Sequence, residues 1–201
     1  INAPHRKNQG CTKWDKADAI YGRGATDLLP MWIADMDFAV APPIVAALRK
    51  RVENMVYGYD FLTDEYYEAV IGWMKNRHHY EIQKDWITFT PGIVTALHMA
   101  VKAVTEPGDE VLMTTPVYGP FFGATKDEGR VMVDVPLLDD DGYYTMDWDG
   151  MEKAVTPKTK AMLLCSPHNP GGRVWTREEL EKLDAFCQKH GIFVIADEIH
   201  N

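Results

Sequence analysis

The run FVIADEIH (residues 193–200) carries four apolar residues straight into Asp197, Glu198 and His200. A carboxylate delivered by an apolar strand stands at the margin of a dry interior, where a negative charge needs a cationic partner. A nearby lysine or arginine would serve, and so would a protonated ring nitrogen of a bound ligand. Three other short runs offer complementary chemistry. Pro91-Gly92-Ile93-Val94-Thr95 reads as a turn that opens a helix. It is either a tight turn needing a flexible residue, or a set of free N–H groups at a positive helix end, where a phosphate docks. Pro116-Val117-Tyr118-Gly119 offers an aromatic face for a flat ligand ring, or a core tyrosine. Pro167-His168-Asn169-Pro170-Gly171-Gly172 offers an amide that donates to a ring hydroxyl, or an Asx turn before Pro170.

Each of these runs follows an apolar, β-rich stretch. The pattern predicts strands over 86–90, 110–115, 130–136, 160–166 and 192–197. It predicts helices over 93–105, about 118–128, about 147–155 and 176–190, the last opened by the capping box Thr176-x-x-Glu179. Strands alternating with helices imply βαβ units and a mainly parallel sheet covered on both faces, hence an α/β, three-layer fold. In such sheets ligands sit beyond the carboxyl ends of the strands. The four runs all fall there, so an anion site, an aromatic, an amide and a carboxylate are expected to converge on one edge. Further upstream, a short helix is expected near 14–20. A second opens at Pro42-Pro43, and a third follows a cap at Thr63 or Asp64.

Composition narrows the class. The chain has 201 residues and a formal net charge of −9, with no clustered basic face, which argues against nucleic-acid binding. No apolar run approaches the roughly 20 residues that span a bilayer. The opening INAPHRKNQG is polar and lacks the look of a signal peptide. Cys11, Cys165 and Cys187 are odd in number and widely spaced, which suits a reducing cytoplasm better than a disulfide framework or a metal site. His78 and His79 are adjacent on a helix and diverge by about 100°, which makes them poor joint metal ligands. Asp139-Asp140-Asp141 reads as a solvated turn.

Taken in order, PGIVTAL, TPVYGPF, SPHNPGG and VIADEIH resemble the fold-type I pyridoxal-phosphate (PLP) enzymes of the class I/II aminotransferase superfamily. KWD (13–15), LPMWIADMDF (29–38), YGYDFLTDEYYEAV (57–70), LLCSPHNPGGRVWT (163–176) and ADEIH (196–200) are similar to the MalY/PatB-type cystathionine β-lyase, or C–S lyase, branch. The resemblance implies an aspartate aminotransferase-like large domain, incomplete within this chain. Residues 1–35 would be an N-terminal arm and part of a small domain. Residues 36–201 would be the N-terminal part of the PLP-binding large domain.

The same resemblance implies roles. Asp197 would pair with the protonated pyridine nitrogen of PLP, and Asn169 would hydrogen-bond the ring oxygen. His200 stands where many relatives carry a tyrosine touching that oxygen. Tyr118 would stack on the ring, and the backbone amides of Gly92, Ile93 and Val94 would hold the phosphate. Tyr59, ahead of Tyr57, would reach the cofactor of a partner subunit, which implies a homodimer with shared sites. Ile33 and Ala34 would line the substrate pocket. The implied reaction is β-elimination from an L-cysteine-derived amino acid, with aminotransfer as the alternative reading and a non-catalytic binding chain as a third. Gly171 replaces the hydroxyl residue of the usual NPTG turn, at little expected cost. The Schiff-base lysine of the family lies C-terminal to DEIH, so it is expected beyond Asn201. Lys126 and Lys160 match no part of its motif. The isolated 201 residues are expected to leave a sheet edge unpaired and apolar surface exposed.

Overall fold

Four runs rich in apolar residues form one parallel sheet in a computed structural model that describes residues 5–22, 24 and 28–201. Their ranges are β1 (Glu110–Met113), β2 (Val131–Asp134), β5 (Thr159–Cys165) and β6 (Phe193–Asp197), in the order β2-β1-β5-β6. All neighbouring pairs are parallel. The period-2 alternation of a strand sorts its side chains onto two faces. Leu112, Met162 and Leu164 point to one core, with Met151, Leu183, Phe186 and Cys187. Val111, Met113, Ala161, Leu163 and Cys165 point to the other, with Leu97, Val101, Phe121 and Ala124.

Helices cover both faces, as expected for three layers. Helices α5 (Ile93–Val104) and α6 (Pro120–Lys126) supply the second core, and α7 (Trp148–Ala154) and α8 (Arg177–His190) the first. The capping box of α8 forms as its sequence predicts: Thr176 Oγ1 accepts from Glu179 N–H, and Glu179 returns the bond to Thr176 N–H.

Two expectations are corrected. The run 86–90 forms no strand; a 3₁₀ turn over Lys84–Trp86 precedes extended backbone instead. A strand exists only against a partner, and among the described residues this run has none. Phe89 is accordingly exposed. The acidic run 139–141 is more than a turn: β3 (Leu138–Asp140) and β4 (Tyr143–Thr145) pair as an antiparallel hairpin around Asp141 and Gly142, both at positive φ.

The chain divides into two units, Ile1–Ala69 and Val70–Asn201. The sheet and its helices lie in the second. In the first, the expected short helix is two, α1 (Thr12–Asp15) and α2 (Ala17–Tyr21), followed by α3 (Pro42–Glu53). Helix α4 (Asp64–His78) spans the division. Of the expected arm, residues 1–4, 23 and 25–27 lie outside the described residues.

The described part of the arm is held by charge. Lys13 is buried; its Nζ donates to Asp37 Oδ2 at 2.8 Å and to the Asp35 carbonyl at 2.9 Å. Trp14 Nε1 donates to Asp37 Oδ1 at 2.8 Å, and Arg6 pairs with both Asp35 and Asp37. The KWD and IADMD segments are thus one polar knot.

Candidate cofactor site

The carboxyl ends of β1, β5 and β6 lie side by side; the loops that leave β1 and β5 carry Tyr118 and Asn169, and Asp197 is the last residue of β6. Cys165 and Asp197 are register partners, and Ser166 N–H donates to the Asp197 carbonyl at 3.0 Å. The β5 and β6 ends are therefore tied by backbone.

Asp197 ends β6 at 5% exposure, and its Oδ1 accepts from Ile199 N–H at 3.1 Å. Among the described residues, no lysine, arginine or histidine forms an ion pair with it. The bland reading of this residue, a structural salt bridge, thus finds no partner. A buried carboxylate with one backbone donor retains lone pairs for a cationic ligand group.

Gly92 sits at φ 130° and ψ 153°, backbone that only glycine adopts readily. It caps α5 without a side-chain hydrogen bond, and Ile93 and Val94 are exposed. The turn both requires glycine and leaves the first N–H groups of a twelve-residue helix open, so the two sequence readings are compatible. A cavity of about 420 Å³ brings this end of α5 beside β6, with Ile93, Ala96, Leu97, Ile195, Asp197 and Ile199 among its lining.

Tyr118 is 39% exposed, so the core-tyrosine reading is set aside. Asn169 is half-buried and its backbone N–H donates to Cys165 Sγ at 3.3 Å. Its side-chain amide has no hydrogen-bond partner among the described residues. His200 is exposed in the turn after β6. Ile33, Ala34 and Tyr59 belong to the first unit; Ile33 is half-buried, Ala34 is exposed, and Tyr59 is fully exposed.

Sequence reasoning did not anticipate how closely Gly171 is packed. A Cβ there would stand 2.9 Å from His168 Cδ2 and 3.0 Å from Tyr144 Cδ2, so a side chain would displace the histidine. Sequence reasoning also missed Arg173. Its guanidinium is buried, pairs with both Glu179 oxygens at 2.7 and 2.8 Å and lies over the Tyr143 and Trp175 rings. It also donates to the Tyr144 carbonyl, which fastens the β3–β4 hairpin to the loop after β5. Burial raises the Cys165 thiol above its usual range, so it serves as packing rather than as a nucleophile.

A buried carboxylate open to a cation, helix N–H groups open to an anion, a free amide and an exposed aromatic fit a flat, phosphorylated, cationic heterocycle. This donor set and this fold define an α/β ligand-binding scaffold of the PLP type. The family of aminotransferases class I and II matches residues 27–201, and the chain belongs to that family. It is 46% identical to cystathionine β-lyase PatB of Bacillus subtilis over 94% of this chain and 49% of that protein. It is 36% identical to protein MalY of Escherichia coli over 97% of this chain and 50% of that one. Cystalysin from Treponema denticola, whose crystal structure contains a pyridoxal 5'-phosphate cofactor, superposes with a TM-score of 0.91 at 42% identity, over 98% of this chain and 50% of that one. The chain spans about half the length of the curated relatives it matches. No helix among the described residues is long and apolar enough to cross a membrane.

Proposed function

We propose that this chain forms the cofactor cradle of a PLP-dependent carbon–sulfur β-lyase acting on an L-cysteine-derived amino acid such as cystathionine. The observation that carries the reading is Asp197, a buried carboxylate at the end of a parallel strand with no cationic side chain paired to it among the described residues. Bound there, PLP supplies an electron sink for the pair of electrons left at the substrate Cα.

The chain's own residues would do the rest of the holding. Asp197 would keep a proton on the pyridine nitrogen. Asn169 would donate its amide to the ring oxygen, with His200 beside it. Tyr118 would cover one face of the ring, and the N–H groups of Gly92, Ile93 and Val94 would take the phosphate. Ile33 and Ala34 would line the substrate pocket, and Tyr59 would serve the site of a second copy in a homodimer. The lysine that binds the cofactor and moves the Cα proton is proposed to lie C-terminal to Asn201. In the net reaction the Cβ–S bond breaks, the thiol leaves with a proton, and water converts the three-carbon remainder to pyruvate and ammonia. Residues 1–35 would form the arm and part of a small domain, and 36–201 the start of the large domain. The odd number and wide spacing of Cys11, Cys165 and Cys187, none in a disulfide, support a cytoplasmic setting.

The family's name favours one rival, aminotransfer on the same scaffold. The two separate in one assay: the full-length protein with PLP and L-cystathionine, with and without an added keto acid. Homocysteine and pyruvate released in equal amounts without a keto acid support the lyase. Product that appears only with a keto acid supports transfer and overturns it.

A further inference from the structure

His168 is named in no role above, yet it is closely held at the strand ends. It is 2% exposed, and its Nε2 lies 2.8 Å from the Pro116 carbonyl oxygen. A carbonyl only accepts, so Nε2 carries the proton and donates. Pro116 lies two residues before Tyr118 in the loop after β1, and His168 directly precedes Asn169 in the loop after β5. One hydrogen bond therefore joins the two loops.

The ring is fixed on its other sides as well. His168 N–H donates to the Arg173 carbonyl at 2.6 Å, and its own carbonyl accepts from Gly172 N–H at 2.7 Å. Its ring meets Trp175 edge-on, with centroids 5.6 Å apart, and Trp175 Nε1 is anchored on the Cys165 carbonyl at 2.9 Å. Gly171 leaves room for the ring, since a Cβ there would lie 2.9 Å from His168 Cδ2. The remaining nitrogen, Nδ1, is buried with no hydrogen-bond partner among the described residues. A phenyl ring would fill this space without an unpaired nitrogen. What the imidazole adds is the single donor that reaches Pro116, and the orphaned Nδ1 is the cost of keeping it.

We propose that His168 is a positioning residue of the cofactor cradle: its Nε2–H bond to the Pro116 carbonyl sets the separation between the Tyr118 ring and the Asn169 amide. The proposal rests on the PLP reading and deepens it. The cofactor would touch Tyr118 and Asn169; His168 acts only through them.

The test uses the full-length protein stripped of cofactor and titrated with PLP, with affinity read from the absorbance of the bound form. Thermal unfolding of the stripped proteins runs in parallel. His168→Phe is expected to raise the PLP Kd about tenfold, the loss of one hydrogen bond's worth of preorganisation. His168→Gln, whose amide nitrogen can reach Pro116, is expected to restore most of the affinity. His168→Asn, too short to reach, should behave like the phenylalanine variant and replaces it if that variant does not fold. PLP affinity equal to the unaltered protein in His168→Phe or His168→Asn would overturn the proposal. So would losses that follow unfolding temperature alone, without rescue by glutamine. No PLP binding by the unaltered protein would instead overturn the reading of function, and this proposal with it.

Discussion

Asp197 is 5% exposed with one backbone donor and no cationic side chain paired to it among the described residues. A carboxylate so placed is a poor stabiliser of the protein alone and a strong one for a bound cation. Asp197→Asn keeps the shape and removes the charge. If the proposed function holds, it is expected to lower turnover of the full-length protein on the order of 10²-fold, the scale of losing one partner of a buried charge pair. The check is steady-state kinetics beside circular dichroism; unchanged turnover would deny Asp197 its role. The placement of Asp197, Asn169 and Tyr118 at the strand ends was legible in the sequence because polar residues at the ends of apolar strands are visible as pattern. His168 and Gly171 were not. The role of the histidine depends on a carbonyl 52 positions away, and that of the glycine on two rings packed against it. Neither contact leaves a local periodicity.

Elements follow local sequence where their partners are near, and depart from it where they are not. The helix α8 was legible because Thr176, Glu179 and its apolar stripe specify both its start and its buried face. The run 86–90 has the composition of a strand, but pairing is not a local property, and among the described residues it finds no neighbour. The hairpin β3–β4 was hidden for the opposite reason, since its acidic residues read as solvated loop while its backbone pairs.

The arm carries a prediction of its own. Hydrogen bonds from Lys13, then Trp14, hold the Asp37 carboxyl well below the usual carboxylate range, and backbone N–H groups, first that of Asn8, lower Asp15. Because both folded-state values lie below the unfolded value of about 4, their stabilisation is complete above that pH and is lost as the pH falls through the folded values. Segments 8–15 and 35–37 are expected to stay protected from hydrogen exchange at about pH 5. They should open progressively as the pH is lowered below about 4, while Asp37→Asn opens them already at pH 5. Protection that is indifferent to pH and to this substitution would contradict the knot.

At the scale of the molecule, β6 has β5 on one side and no strand on the other among the described residues, and Phe193 on it is 56% exposed. Tyr59 and Phe61 are also exposed. Open edges and apolar side chains of this kind call for further protein to cover them. The proposed homodimer makes this specific. If Tyr59 serves the partner's site and Asp197 its own, then Tyr59→Ala and Asp197→Asn variants should each be nearly inactive. Refolded together in equal amounts, they should recover about a quarter of full activity, because half of the dimers then hold one intact site of two. Recovery no greater than the sum of the two variants alone would argue that each subunit builds its site unaided.

In the proposed function these residues form a PLP cradle whose covalent lysine lies C-terminal to Asn201. The most direct measurement is the mass of the full-length protein, and of its proteolytic peptides, after borohydride reduction in the presence of PLP. One reduced cofactor per chain is expected, on a lysine in a peptide beyond DEIHN. A protein that takes up no cofactor, or one that carries it on Lys126 or Lys160, would contradict it.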